Sequence, residues 1–274
     1  MKLFQIMLLI LIMGISPALA LDGLVDKSEI DRETLCAISR SRKCDIKLAI
    51  KYGLFETGLQ PQFPEGMICR DIDSEQWAIS YTSKRPQESY HGGIDMPAPF
   101  GTPIVAVADG TVVGLYAGEE SYRGREIVLR HSPEDTGIPM WIYTQYTHFD
   151  AMPPFKVGDR VKMGQELGPT GNSGIPGGKK KNKKKKNRRR PAIHFATWFS
   201  ESPDFYDNGR GIIPKGGQWM DPNALYRGVP PFDSQSMKNL PDSQKRIAIP
   251  VMVEGGGFVP ADTKLIWPYT CSPK

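Results

Sequence analysis

The sequence predicts a mainly β, antiparallel fold preceded by a short helical segment and followed by an irregular extension. From about residue 76 onward, short runs rich in β-branched and aromatic residues, "REIVLRHS", "MWIYTQYTHF", "DRVKMGQELG" and "AIHFATWFS", alternate with Gly and Pro. Runs so closely spaced leave no room for the crossover helices of a parallel sheet. A third observation is "TPIVAVADGTVVGLYAG", which reads as strand, turn and strand with Asp109 and Gly110 at the reversal.

Taken in order, the chain opens with "MKLFQIMLLILIMGISPALA", where Lys2 precedes an apolar run and Ala18 and Ala20 give a small-residue cleavage pattern. Residues 1–20 therefore read as a secretory signal peptide, too short an apolar stretch for a retained span, and the mature chain starts near Leu21. Residues 21–75 form an N-terminal, partly helical segment: positions 28–58 permit one or two helices, and "GLQPQFPEG" breaks the pattern. Residues 76–228 are the β domain. Residues 229–274 are a Pro- and Gly-rich C-terminal extension with one strand-like piece, "IAIPVMVE".

Export places the four cysteines, Cys36, Cys44, Cys69 and Cys271, in an oxidising compartment, where two disulfides are expected and three pairings are open. A thiolate zinc site is the alternative, but the sequence has no CxxC pair. The formal net charge of +5 has a local origin. The run "KKKNKKKKNRRR", Lys179 to Arg190, holds seven lysines and three arginines, so the remainder of the chain sums to −5. Such a run cannot bury itself and is expected as an exposed insertion. It is either merely solvated or attracted to an anionic envelope polymer; no nucleic-acid partner is expected of an exported chain.

The chain has four histidines, and their placement is uneven. His91 and Asp95 in "HGGID" are four apart, so an extended backbone puts both on one face. His148 closes "YTQYTHF", His194 sits in "AIHFATW", and His131 falls at a strand end in "LRHSPED", where a structural role is expected. Two imidazoles and one carboxylate are ligand types that hold a catalytic zinc while leaving its fourth position to water.

The segments "HGGIDMPAPFGTPIVAVADGTVV", "YTHF", "VGDRVKMGQELGPTGNSG" and "IHF", in that order and ending near "WMDPNALY", resemble the lysostaphin-type (LytM-like) zinc metallopeptidases over residues 85–227. The resemblance implies the small β-sheet fold called a duplicated hybrid motif, or barrel-sandwich hybrid, with Zn2+ as cofactor. It implies peptidoglycan peptides as substrate and a secreted or periplasmic location. Residue by residue, His91 and Asp95 match the HxxxD ligands, His194 the metal-binding histidine of HxH, and His148 a catalytic histidine. The departure is Ala192, which stands where the family has the first histidine of HxH. Four residues present themselves as substitutes for that imidazole: His131, or an arginine among Arg188, Arg189 and Arg190. A positioned acid or base adds about 10²–10⁴-fold, so the loss depletes the site without removing the Lewis acid.

The expected function is thus an exported zinc metalloendopeptidase. The rival is a zinc-binding but weakly active regulator of other wall hydrolases, although regulators of this kind commonly lose the metal ligands, which here are kept. A carrier domain is a third reading, because "VGDRVKMGQELG" also resembles biotinyl and lipoyl hairpins with Lys162 as the attachment residue. That reading leaves "HGGID" and "IHF" unexplained.

Overall fold

Nine consecutive residues, "AIHFATWFS", form a strand buried on both faces, and the rest of the architecture is arranged to cover it. The computed structural model describes residues 21–274 apart from 42, 74–76, 84–87, 119–120 and 175–188. The signal-peptide reading and the basic run up to Arg188 lie outside the described residues.

Two short helices, α1 (Arg32–Ser39) and α2 (Lys47–Lys51), come first. Asp31 caps α1 by accepting from the Thr34 amide at 2.8 Å, and Arg40 ends it in the left-handed region at φ 46°. The strands that build the site follow: β1 (Ile94–Pro97), β2 (Pro103–Val105), β3 (Gly110–Tyr116), β4 (Glu126–His131) and β5 (Trp141–Thr147). Then come β6 (Arg160–Val161), β7 (Glu166–Pro169), β8 (Ala192–Ser200) and β9 (Gln218–Met220).

The main sheet has seven strands in the order β9-β8-β5-β4-β3-β6, with β1 also on β8. The pairings in this sheet are antiparallel. β1 and β9 share one edge of β8, β1 on residues 192–195 and β9 on residues 197–199, while β5 runs along the other edge. The mainly β, antiparallel expectation holds. One local reading does not: Asp109 and Gly110 do not close a hairpin, because β2 pairs with β7 and β3 with β4 and β6. The reason lies in the Asp109 carboxylate, which accepts from the Met163 amide and the Lys162 ammonium, both at 2.8 Å. It is held to the 162–163 loop rather than serving as a hairpin turn. Lys162 is accordingly a surface ion-pair partner.

Full burial of β8 needs cover on both sides, and the segments flanking the β domain supply it. Trp219 on β9 stacks on Trp198 across the strand pair at 5.2 Å and donates its indole N–H to the Ala37 carbonyl of α1 at 3.1 Å. At the other end of the chain Leu265, Trp267, Tyr269 and Cys271 belong to the same buried core. The disulfides are Cys36–Cys44 and Cys69–Cys271, one of the three open pairings. Among the described residues no helix is long and apolar enough to cross a membrane.

Candidate metal centre and active site

Strand register assembles the site. In the β8–β1 pair His194 lies directly opposite Asp95, and in the β8–β5 pair the same His194 lies opposite Thr147, the residue before His148. The period-2 alternation of β8 puts Ala192 and His194 on one face and Ile193 and Phe195 on the other, where they join the core. His91 arrives from the loop before β1. That loop is held by Arg40, which donates to the Tyr90 carbonyl at 2.7 Å and the His91 carbonyl at 2.8 Å while stacking 5.0 Å above Trp219.

The ligating atoms converge. His194 Nδ1 is 2.9 Å from Asp95 Oδ1 and 3.1 Å from His91 Nε2, and His91 Nε2 is 3.2 Å from Asp95 Oδ1. Burial pushes the Asp95 carboxyl up, but hydrogen bonds from His194 and His91 outweigh it and hold the group well below the usual carboxylate range. Burial likewise drives His194 down to about 4, so this imidazole is neutral near pH 7.

If both imidazoles donate to Asp95, their two N–H groups face each other across 3.1 Å. A cation at the centre removes the conflict. Bonds of about 2.0–2.1 Å in a tetrahedral site place ligand atoms about 3.3 Å apart, close to the separations found here. His91, Asp95 and His194 together could therefore hold a metal ion, and they are a group of that kind among the described residues.

His148 stands beside this cluster, its ring centroid 6.2 Å from that of His194. Its backbone is left-handed at φ 68°, a conformation that non-glycine residues rarely take and that here ends β5 and turns the side chain. The surroundings fix it: the His148 amide donates to the Arg123 carbonyl at 3.1 Å, and Nδ1–H donates to the Ser173 carbonyl at 2.9 Å. Nε2 is thereby left as the acceptor. Burial, reinforced by the Arg189 charge, pushes His148 down to about 3.

His131 has no part in this arrangement. It sits on β4 with Nδ1 on the Asp109 carbonyl at 2.6 Å and Nε2 on the Thr144 hydroxyl at 2.8 Å, the structural role expected of it. Ala192 is buried, two residues before His194 on the same face. The sequence reading missed Ser173 and Arg40. Ser173 lies in the "GNSG" stretch but acts through its main-chain carbonyl, and Arg40 grips two carbonyls, so neither has a side-chain pattern that sequence displays.

Residues 89–203 match the model of peptidase family M23. An uncharacterized metalloprotease of Buchnera aphidicola is 30% identical over 112 residues, which are 41% of this chain and 24% of that protein. The peptidoglycan DD-endopeptidase ShyC of Vibrio cholerae is 38% identical over 84 residues, 31% of this chain and 17% of that protein. Among solved structures, the catalytic domain of lysostaphin from Staphylococcus simulans aligns at 27% identity over 42% of this chain and 71% of that one, with a TM-score of 0.30. The chain spans about a quarter or less of the length of the curated relatives it matches. The stretch that matches peptidase family M23, residues 89–203, carries His91, Asp95, His148 and His194.

Proposed function

We propose that this protein is an exported zinc metallopeptidase that hydrolyses peptide bonds of bacterial peptidoglycan, with its enzymatic unit spanning residues 76–228. The observation that carries the reading is the convergence of His91, Asp95 and His194 on one point beside a neutral, oriented His148. The similarity to a peptidoglycan DD-endopeptidase supports the substrate class. The apolar run after Lys2 and the small-residue pattern at Ala18 and Ala20 support export.

His91, Asp95 and His194 would hold the metal, two nitrogens and one oxygen being a donor set suited to zinc. Zinc so held polarises a carbonyl and lowers the pKa of water to about 7. The remaining work belongs to the chain. Asp95 stays ionised across the neutral range, His194 stays neutral, and the Ser173 carbonyl keeps the His148 proton on Nδ1, so that Nε2 can accept a proton from the attacking water and return it to the leaving nitrogen.

The test is metal content and muropeptide release measured on the same preparations. The parent should carry about one zinc per chain. Asp95→Ala should lose most of it along with turnover, and His148→Ala should keep zinc and lose about 10²-fold or more in turnover. Zinc retained in full by Asp95→Ala would overturn the ligand assignment. Ala192 is the observation that favours the second reading, a weakly active regulator. That reading prevails if the zinc-loaded parent cleaves no muropeptide yet stimulates a separate wall hydrolase.

A further inference from the structure

At the end of the basic run, just before β8, the chain carries two arginines that are built into the site. Arg190 forms an ion pair with Asp73, whose amide in turn donates to the Asp95 carbonyl at 2.8 Å. The Arg189 carbonyl accepts from the Asn172 side chain at 2.8 Å. Pro191 and Ala192 continue the anchoring, through the Ala98 amide at 3.3 Å and the Gly171 carbonyl at 3.1 Å. From this fixed backbone the half-buried Arg189 side chain turns inward, and Nη1 donates to His148 Nε2. Its charge acts on His194 as well as on His148. Ala192, three residues on and on the same face of β8 as His194, brings no imidazole to the site.

We infer that Arg189 is a catalytic residue of this site: its guanidinium stabilises the oxyanion of the tetrahedral intermediate, the role left open by alanine at position 192. The inference rests on the peptidase reading above and names a residue which that reading does not need. A guanidinium suits the task because it keeps its charge at any working pH and has five N–H donors, of which His148 engages one nitrogen only.

The step runs as an exchange of partners. In the substrate-free protein Arg189 covers His148 Nε2. When a peptide carbonyl enters, the guanidinium moves its N–H to the carbonyl oxygen and frees Nε2. Water adds to the carbonyl carbon, giving one proton to Nε2, while the carbonyl π pair moves onto the oxygen facing Arg189. Collapse reforms the C=O bond and breaks the C–N bond. The proton held by His148 passes to the departing nitrogen, leaving a carboxylic acid and an amine.

The experiment compares the zinc-loaded parent with Arg189→Gln, Arg189→Lys and the double variant Arg189→Gln/Ala192→His, using soluble cross-linked muropeptides. Arg189→Gln should lower kcat by about 10²–10³-fold, the usual effect of deleting an oxyanion donor, with KM changed by less than about threefold. Zinc content should not move. Arg189→Lys should retain part of the rate, and histidine at position 192 should recover part of what Arg189→Gln loses.

A second readout does not depend on turnover. Inorganic phosphate, a tetrahedral oxyanion, should bind the zinc-loaded parent at least about tenfold more tightly than Arg189→Gln by calorimetry. Equal phosphate affinity, or a kcat for Arg189→Gln equal to or above the parent's with zinc intact, overturns the role of Arg189; in the latter case the guanidinium is a cap on His148. A parent without zinc or without activity on any muropeptide counts instead against the peptidase reading.

Discussion

Two residues show how closely the site and its surroundings are tuned. Gly93 lies between His91 and Asp95, where an added Cβ would come within 2.5 Å of His194 Cε1 and Nε2 and 2.8 Å of the Phe195 carbonyl. Only glycine lets the imidazole lie flat against the β1 approach, so Gly93→Ala should displace the ring and weaken zinc affinity about 10–100-fold in a chelator competition. Folding should be largely kept. His131 governs a different property. Burial holds its pKa near 4 against an ordinary 6.5, so between those values the unfolded chain takes up a proton that the native one refuses. Stability from this group therefore falls as pH drops through that window, by about 3 kcal/mol in full. Glu126 opposes it: burial raises this carboxyl to about 7, partly offset by Arg123 and Gln145, so the native state gains stability as pH falls from 7 towards 4.5. The parent should show a shallow pH dependence because the two slopes oppose each other. Urea midpoints between pH 8 and 4 should fall on the acid side for Glu126→Gln and rise there for His131→Gln. Parallel curves for all three proteins would refute this assignment.

At the scale of elements, the readable part of the site was the part carried by side-chain type and strand alternation. His194 on an alternating strand faces Asp95 across the β8–β1 pair, whereas His91 reaches them from the loop before β1, past Gly92 at φ 76°, and not by the strand alternation its even spacing suggests. What the sequence could not display were contacts made through main-chain atoms at long separation. The carbonyl of Ser173 orients His148, and Arg40 from the end of α1 grips the carbonyls of Tyr90 and His91. The Asp-Gly reading at residues 109–110 failed for the same reason, since its turn residues are committed to a partner loop more than fifty residues away. This makes α1 a support for the metal loop. Arg40→Met, which keeps the aliphatic stem over Trp219 and removes both hydrogen bonds, should weaken zinc binding about tenfold or more. Zinc affinity equal to the parent's would show that the loop holds its own shape.

The whole molecule is closed by a covalent link between segments far apart in sequence. Cys69 and Cys271 are separated by 202 positions, whereas Cys36 and Cys44 are separated by 8. In the chain-entropy picture the long closure restricts the unfolded state by about 5 kcal/mol and the short one by about 3 kcal/mol. The long link also fixes a segment that reaches the site. Tyr269, two residues before Cys271, shares a 2.7 Å hydrogen bond with the Thr170 hydroxyl, and Thr170 immediately precedes the Gly171–Ser173 strip that receives Ala192 and orients His148. Trp267 in the same segment donates to the Arg70 carbonyl at 2.7 Å, beside Cys69. Opening this disulfide should therefore act on stability and on the site together. Cys69→Ser/Cys271→Ser should lower the unfolding free energy by about 2 kcal/mol more than Cys36→Ser/Cys44→Ser. At temperatures where both variants remain folded, it should also lose more turnover while zinc content stays at the parent level, because the ligands lie on β1, β8 and the loop before β1, and the loosened strip carries only the orientation of His148. Equal losses of stability from the two pairs would count against the entropic account. Unchanged turnover in a folded Cys69→Ser/Cys271→Ser protein would show that the C-terminal segment braces the core without reaching the chemistry.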